Sequence, residues 1–190
     1  DDESLKQLMA ATEKGQLSPE LRKQIEPPGK PEGAPAAKLA MEGWRNLNAG
    51  KARSAERSFR EALAKDPDNL SAMNGLGFLL LNSGKTDEAK SYFEKCLERE
   101  PDAAGPMNGL ARCLKEEGKA DEAIALWEKM CKQNAGVNAG TVGLATAYAE
   151  TKQFDKALPY YEQLVKSQPE NEEYKRGLEE AKKALRGKQP

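Results

Sequence analysis

Between residues 70 and 102, apolar and polar residues follow the spacing of two short amphipathic helices. The stretch reads LSAMNGLGFLLLNSGKTDEAKSYFEKCLEREPD. Apolar side chains recur every three or four residues on both sides of Gly84 and Lys85, which predicts two helices joined by a tight turn. Pro101 follows the second apolar run and predicts its end. The stretch is therefore interpreted as a pair of helices with one buried stripe on each.

The same pattern recurs along the chain every 34 residues, which is the separation of Gly43 and Gly77. Four columns keep the register: a small position, an alanine position, an aromatic position and a proline position that is broken once. Their members are Gly43, Gly77, Ala111 and Ala145; Ala55, Ala89, Ala123 and Ala157; Phe59, Phe93, Trp127 and Tyr161; and Pro67, Pro101, Ala135 and Pro169. Small residues let two helices cross closely, and the aromatic side chain fills the space toward the next pair. Because one pair cannot bury its apolar face alone, the period predicts a stack of pairs.

These columns resemble the signature of the tetratricopeptide repeat (TPR), a helix–turn–helix unit of about 34 residues. The resemblance implies four copies, at 36–69, 70–103, 104–137 and 138–171. Residues 172–187 carry a further apolar stripe and resemble the extra helix that caps such arrays. The fold expected from this resemblance is all-α, a right-handed superhelix, or α-solenoid, of helix–turn–helix pairs.

The N-terminal part of the chain differs from the repeats. Residues 1–26 show only a weak apolar stripe, and Ser18 followed by Pro19 is typical of the start of a short helix. Residues 27–35, PPGKPEGAP, are mostly Pro and Gly and predict an extended linker. Two alternatives remain for 1–26: a weakly ordered or short helical tail, or a helix that docks on the array or on a neighbouring molecule.

Composition narrows the functional classes. The 190 residues include 30 basic and 31 acidic side chains, so the basic excess typical of nucleic-acid-binding proteins is missing. No apolar run approaches the ~20 residues of a membrane-spanning helix, so we expect no direct membrane insertion. The chain has no histidine, and its three cysteines form no CxxC pair. We therefore expect no cofactor, no metal site and no enzymatic activity.

By the resemblance, the first helix of each pair lines a concave groove that holds a peptide or a partner helix. The groove residues expected on copies one to three are Trp44, Leu47, Asn48, Asn74, Phe78, Leu81, Asn82, Asn108, Arg112 and Lys115. Trp44 and Phe78 lie one repeat apart, outside the packing columns, which indicates an aromatic hot spot. The alternative is that residues 1–35 or a dimer contact cover them. The N-terminal half of the groove is apolar, and Arg112 and Lys115 bring positive charge farther along. This arrangement predicts a ligand with a hydrophobic anchor and nearby acidic residues.

The function predicted is that of a protein–protein interaction scaffold, whose partner is another protein or peptide. The alternative is a regulatory or assembly module cut from a larger protein, membrane-associated or enzymatic, because the chain starts with Asp1 and contains a Pro/Gly linker. Self-association through the N-terminal segment or an end of the array is a further option. We expect a soluble domain in the cytoplasm or the periplasm. The sequence leaves open whether a targeting segment has been removed.

Overall fold

The computed structural model describes residues 35–133 and 138–187, and these residues form nine α-helices and no strand. In chain order the helices are α1 (Pro35–Asn48), α2 (Ala52–Lys65), α3 (Leu70–Asn82), α4 (Thr86–Arg99), α5 (Ala104–Glu116), α6 (Ala120–Gln133), α7 (Asn138–Glu150), α8 (Phe154–Ser167) and α9 (Glu172–Arg186). Each odd-numbered helix up to α7 is the first of a pair, and the even-numbered helix after it is the second. The predicted all-α repeat fold is confirmed.

The first helices after α1 start at regular intervals along the chain. They begin at Leu70, Ala104, Asn138 and Glu172, so each start lies one full period after the one before. The first, α1, begins at Pro35, the last residue of the predicted linker. Residues 1–34, for which the sequence predicts a tail and a linker, lie outside the described residues. No helix in the described part of the chain is both long enough and apolar enough to cross a membrane.

The turns between paired helices have a common backbone geometry. Gly50, Gly84 and Gly118 have φ angles of 71°, 76° and 78°, in the left-handed region that glycine adopts without steric cost. Lys152 occupies the same place in the fourth pair with φ of 60°. The four pairs thus share one backbone conformation even where the sequence lacks glycine.

The core is built from the aromatic column of the second helices. Phe59 and Phe93 are fully buried, Trp127 is 2% exposed and Tyr161 is 8% exposed. A Cβ atom added at Gly77 or Gly109 would collide with the ring of Phe93. The ring is therefore held between the first helix of its own pair and the first helix of the next, which is the packing that the period predicts.

A second column of glycines lets each ring pack against the first helix of the next pair. This column is not among the four identified in the sequence. Each member faces the aromatic ring of the preceding second helix, and the members are Gly75, Gly109, Gly143 and Gly177. Met41 stands at the corresponding position of α1 and is 66% exposed. A ring could not approach α1 at Met41 in the way that Phe93 approaches Gly109.

Helix α9 is in the register of a fifth first helix, since Gly177 contacts Tyr161. Two of its positions differ from those of α7. Glu179 and Lys182 stand where α7 has the buried Ala145 and Tyr148. The two charged side chains lie 3.6 Å apart (Lys182 Nζ to Glu179 Oε1). The face on which a second helix packs in the other pairs is thus polar in α9.

Candidate functional site

Trp44 and Phe78 form an aromatic patch on the first helices α1 and α3. Their ring centroids are 6.1 Å apart in an edge-to-face arrangement, and both rings are half-buried. Trp44 lies 5.6 Å from Phe59, and Phe78 lies 5.1 Å from Phe93. The structure thus brings the two predicted residues together, and it also shows that both rest on the packing column. Their outer faces are partly exposed, whereas their inner faces support the core.

The indole of Trp44 is fixed by a hydrogen bond across two pairs. Its Nε1 donates to Ser71 Oγ at 3.0 Å and to the Ser71 carbonyl oxygen at 3.2 Å. Leu47 is half-buried in the same cluster, and Asn48 is exposed at the end of α1. Leu81 is 8% exposed and packs in the core with Phe93, so it offers almost no surface to a ligand.

A cavity of 510 Å³, here the main cavity, lies farther along the first helices. Helices α5, α7 and α9 contribute to it, together with the ring of Trp127. Its lining residues are Asn108, Arg112, Lys115, Glu116, Trp127, Asn138, Ala139, Val142, Gly143, Thr146 and Tyr174. Three of the predicted groove residues, Asn108, Arg112 and Lys115, therefore share one concave site. The cavity combines apolar walls with a few polar groups, as binding sites usually do.

Arg112 connects the aromatic patch to the main cavity. Its guanidinium carbon lies 5.8 Å from the centroid of the Phe78 ring, and its Nη2 donates to Asn82 Oδ1 at 3.3 Å. No carboxylate of the described residues forms an ion pair with it. Lys115, in contrast, pairs with Glu150 at 2.9 Å. Of the two cations, Arg112 is thus the one without an ion-pair partner among the described residues.

Asn74 and Asn108 occupy equivalent positions one repeat apart, but their amides differ in their partners. Asn108 Oδ1 accepts a hydrogen bond of 3.0 Å from Trp127 Nε1. Asn74 Oδ1 is buried and has no hydrogen-bond partner among the described residues. The cause is the aromatic column, because Phe93 stands where the third pair has Trp127, and phenylalanine has no N–H to donate.

Tyr174 is one of the lining residues that the groove prediction did not include. It belongs to α9, which the sequence analysis interpreted only as a capping helix, yet its side chain lines the main cavity. A signal was present in the register, since Tyr174 follows Ala72, Pro106 and Gly140 at intervals of one period. A large side chain in a column of small ones indicates a changed surface at the end of the array.

The ionisable groups of the described residues do not resemble a reactive centre. Burial raises the pKa of the Cys96 and Cys113 thiols to about 11, with a smaller contribution from Glu100 and Glu117 respectively. Thiols with such values are inert near neutral pH. No three His, Cys, Asp or Glu side chains in the described part of the chain converge as metal ligands.

The stacked helix pairs define the class of helical repeat proteins. A family model described as "Tetratricopeptide repeat" matches residues 47–91, 80–139 and 114–181, which together run without a gap from 47 to 181. The chain therefore belongs to the tetratricopeptide repeat family. Proteins of this family act mostly as scaffolds for protein–protein interaction.

Solved structures agree with the family assignment. A thermophilic TPR protein of Thermus thermophilus is 17% identical, with a TM-score of 0.68, covering 79% of this chain and 82% of that one. A tetratricopeptide repeat protein of Parabacteroides merdae is 18% identical, with a TM-score of 0.63, covering 97% and 73%. A mutant O-GlcNAc transferase of Thermobaculum terrenum is 17% identical, with a TM-score of 0.66, covering 73% and 27%. At these identities the likeness concerns the fold alone.

No curated protein matches the sequence.

Proposed function

We propose that this array holds a peptide or a helix of a partner protein on the inner surface formed by α1, α3 and α5. The aromatic patch supplies the apolar contact, and the main cavity supplies polar groups next to it. Partly exposed aromatic rings beside a concave polar site are typical of binding hot spots. The side-chain oxygen of Asn82 accepts a hydrogen bond from Arg112. This bond orients Arg112 between the aromatic patch and the main cavity.

The partner segment has a hydrophobic anchor and at least one acidic side chain. The observation that carries this is Arg112, a half-buried cation that contacts Phe78 and has no described carboxylate partner. A carboxylate beside it would gain charge-assisted hydrogen bonds. An apolar side chain on the Phe78 and Trp44 rings would lie within reach of the same segment.

Replacing the patch should weaken binding strongly. In the Trp44→Ala, Phe78→Ala double variant, the loss of each aromatic anchor should cost ~2 kcal/mol of binding free energy or more. Binding of a partner captured with the wild-type protein is measured by titration calorimetry. Both rings also support the core, so a control is needed for the loss of stability. Tyr92→Ala serves as this control, because it removes a half-buried ring from the second helix α4. Normal binding by the folded double variant would exclude the inner surface.

Reversing the cavity charges should act differently. In Arg112→Glu, Lys115→Glu, the association rate with the same partner should fall and its salt dependence should weaken, because exposed charges steer encounter more than they hold the complex. Stopped-flow kinetics at two salt concentrations measure both effects. The control variant Lys132→Glu, Lys166→Glu removes the same charge from the exposed faces of the second helices α6 and α8. An equal effect of the two variants would mean that only net charge matters.

The second candidate is a regulatory or assembly module of a larger protein, whose chemistry lies outside these residues. The specific support is the Thermobaculum terrenum O-GlcNAc transferase, a longer enzyme of which the matching part covers 27% of the chain. The full reading frame around the sequence tests it directly. A neighbouring catalytic domain in the same frame supports this candidate, and a frame bounded at the array rejects it.

A further inference from the structure

One column of first-helix residues follows the inner surface and lies outside the packing columns. Its members, one period apart, are Trp44, Phe78, Arg112 and Thr146. The first three form a row of contacts. The ring centroids of Trp44 and Phe78 are 6.1 Å apart, and the guanidinium carbon of Arg112 lies 5.8 Å from the Phe78 centroid. In the first part of the array, side chains of this column therefore occupy the space between neighbouring first helices.

The row of contacts ends after Arg112, at the position of the main cavity. Thr146 is the next member of the column, and both Arg112 and Thr146 line the cavity. A threonine side chain is far smaller than the rings at the equivalent places in α1 and α3. Its hydroxyl donates to the Val142 carbonyl oxygen at 2.9 Å, within α7, so it needs no partner in the cavity. The cavity is therefore a gap in a row of large side chains.

The walls of the main cavity are mostly apolar. Ala139, Val142 and Tyr174 line it, and all three are half-buried against the core cluster of the C-terminal pairs. Trp127 also lines the cavity but is only 2% exposed, so a ligand would contact the walls rather than the indole. An apolar group that fills the gap would remove this wall surface from water.

The charges around the cavity favour an aromatic group over an ion inside it. Lys115 is paired with Glu150 at 2.9 Å, and the exposed Glu116 adds a carboxylate to the lining. Arg112 contacts the Phe78 ring and also lines the cavity. A planar guanidinium can stack with an aromatic ring on each of its faces. A ring in the cavity would therefore gain apolar contact and a cation–π interaction together.

The chain itself has no aromatic side chain to place in the cavity. Residues 1–34, 134–137 and 188–190, which lie outside the described part, contain no Phe, Trp or Tyr. Among the described residues, Met41 is the only large hydrophobic side chain that is exposed. A second copy of the chain would therefore have no exposed ring to insert. The occupant is left to a different protein.

We propose that the main cavity takes an aromatic side chain of the partner segment, placed between Arg112 and Thr146. The inference rests on the proposed binding of that segment to the inner surface. The ring continues the row formed by Trp44, Phe78 and Arg112. The N–H groups of a guanidinium lie in its plane, so stacking leaves them free for the acidic side chain of the partner. The segment thus carries a second apolar anchor, which is aromatic, beyond the one on the aromatic patch.

A variant that closes the gap tests the inference. Thr146→Phe supplies a ring from the chain itself, at the place that Phe78 has in α3. Ala125→Phe adds the same ring at an exposed position of α6 and serves as the matched control. A library of random twelve-residue peptides displayed on phage is selected in parallel on the full chain and on both variants. We expect one peptide position that requires Phe, Tyr or Trp on the wild type and on Ala125→Phe, and loss of this requirement on Thr146→Phe.

Each other outcome has a distinct meaning. Enriched peptides without an aromatic position overturn the inference and leave the proposed function standing. If every aromatic requirement is unchanged on Thr146→Phe, the ring does not bind in the main cavity, and the inference is overturned as well. Enrichment of no peptide on the wild type overturns both the inference and the proposed peptide-binding function.

A synthetic peptide of the selected consensus then measures the contribution of the ring. On the wild type, replacing its aromatic residue by Ala should raise the Kd about thirtyfold, the effect of a hot-spot anchor. Replacing it by Leu should raise the Kd about threefold, because the cation–π interaction is lost. An Ala peptide that binds as tightly as the aromatic one would overturn the inference.

Arg112→Met provides a second variant that does not depend on filling the cavity. It removes the cation and keeps an unbranched apolar side chain, so the preference for Phe over Leu in the peptide should disappear. Melting temperatures of Arg112→Met and Thr146→Phe check that both variants fold. A preference for Phe that Arg112→Met leaves unchanged would overturn the placement of the ring beside Arg112.

Discussion

At the scale of single residues, the turns between paired helices are set by the backbone. Gly50, Gly84 and Gly118 lie in the left-handed region, and a Cβ atom at any of them would have no other heavy atom within 4 Å. Space is therefore not the constraint at these turns, and the cost of a side chain there comes from the backbone conformation itself. Lys152 bears this cost in the fourth pair, at φ of 60°.

Lys152→Gly should stabilise the protein. Relief of the left-handed strain is worth roughly 1–2 kcal/mol, and the greater freedom of glycine in the unfolded chain cancels about half of it. We expect a net gain of ~0.5–1 kcal/mol in the free energy of unfolding, measured by urea denaturation. Gly118→Ala is the reverse change and should lose stability by a similar amount. A decrease for Lys152→Gly would show that its side chain, rather than the backbone, fixes the turn.

At the scale of elements, each second helix is joined to first helices on both sides. The buried rings do this in the core, and at the surface an ion-pair cluster links α4 to the end of α5. Glu117, just after α5, accepts from Lys119 Nζ at 2.7 Å and from Lys90 Nζ of α4 at 3.0 Å. The hydrogen bonds that these two ammonium groups donate to Glu117 lower the pKa of its carboxyl. Its stabilising effect is thus present above the ordinary carboxyl pKa and is lost as the pH falls through the lowered value.

Ala89→Leu should be strongly destabilising. Ala89 is fully buried where α4 packs beside Phe93 and Cys113, and overpacking of such a site costs ~1–3 kcal/mol. The matched change Ala125→Leu introduces the same atoms at an exposed position of α6 and should cost little. Thermal melting of both variants compares them. Equal melting temperatures would contradict the helix register.

The sequence was sufficient for the element order because periodicity records burial directly. The aromatic column predicted which face of each second helix is buried, and Gly84 predicted the turn. The Gly75 column was missed because its function depends on the ring of the preceding pair, a contact across pairs rather than within one. The sequence analysis assigned Pro35 to the linker and began the first repeat at residue 36. In the structure α1 begins at Pro35, since proline is compatible with both a linker and a first helical turn.

At the scale of the whole molecule, the candidate site was predicted only in part. The sequence indicated Trp44, Phe78 and Arg112, and the structure brings all three into contact through Phe78. Leu81 was expected at the groove but lies in the core, because a helix with apolar residues on several faces has no unique outward side. The orphaned oxygen of Asn74 and the pairing of Lys115 with Glu150 depend on side chains far apart in sequence, so no local pattern reveals them.

The most direct test of the central claim is to map which surface touches the partner. A photo-crosslinking amino acid is placed at Asn48 or Asn82, both exposed on first helices, and in parallel at Ala125 or Lys132, exposed on the second helix α6. Melting curves confirm that the four variants fold, and crosslinked partner is quantified by mass spectrometry. If the inner surface binds, crosslinks form from Asn48 and Asn82 and not from the α6 positions. Crosslinks confined to Ala125 and Lys132 would contradict the proposal and move the binding site to the second helices.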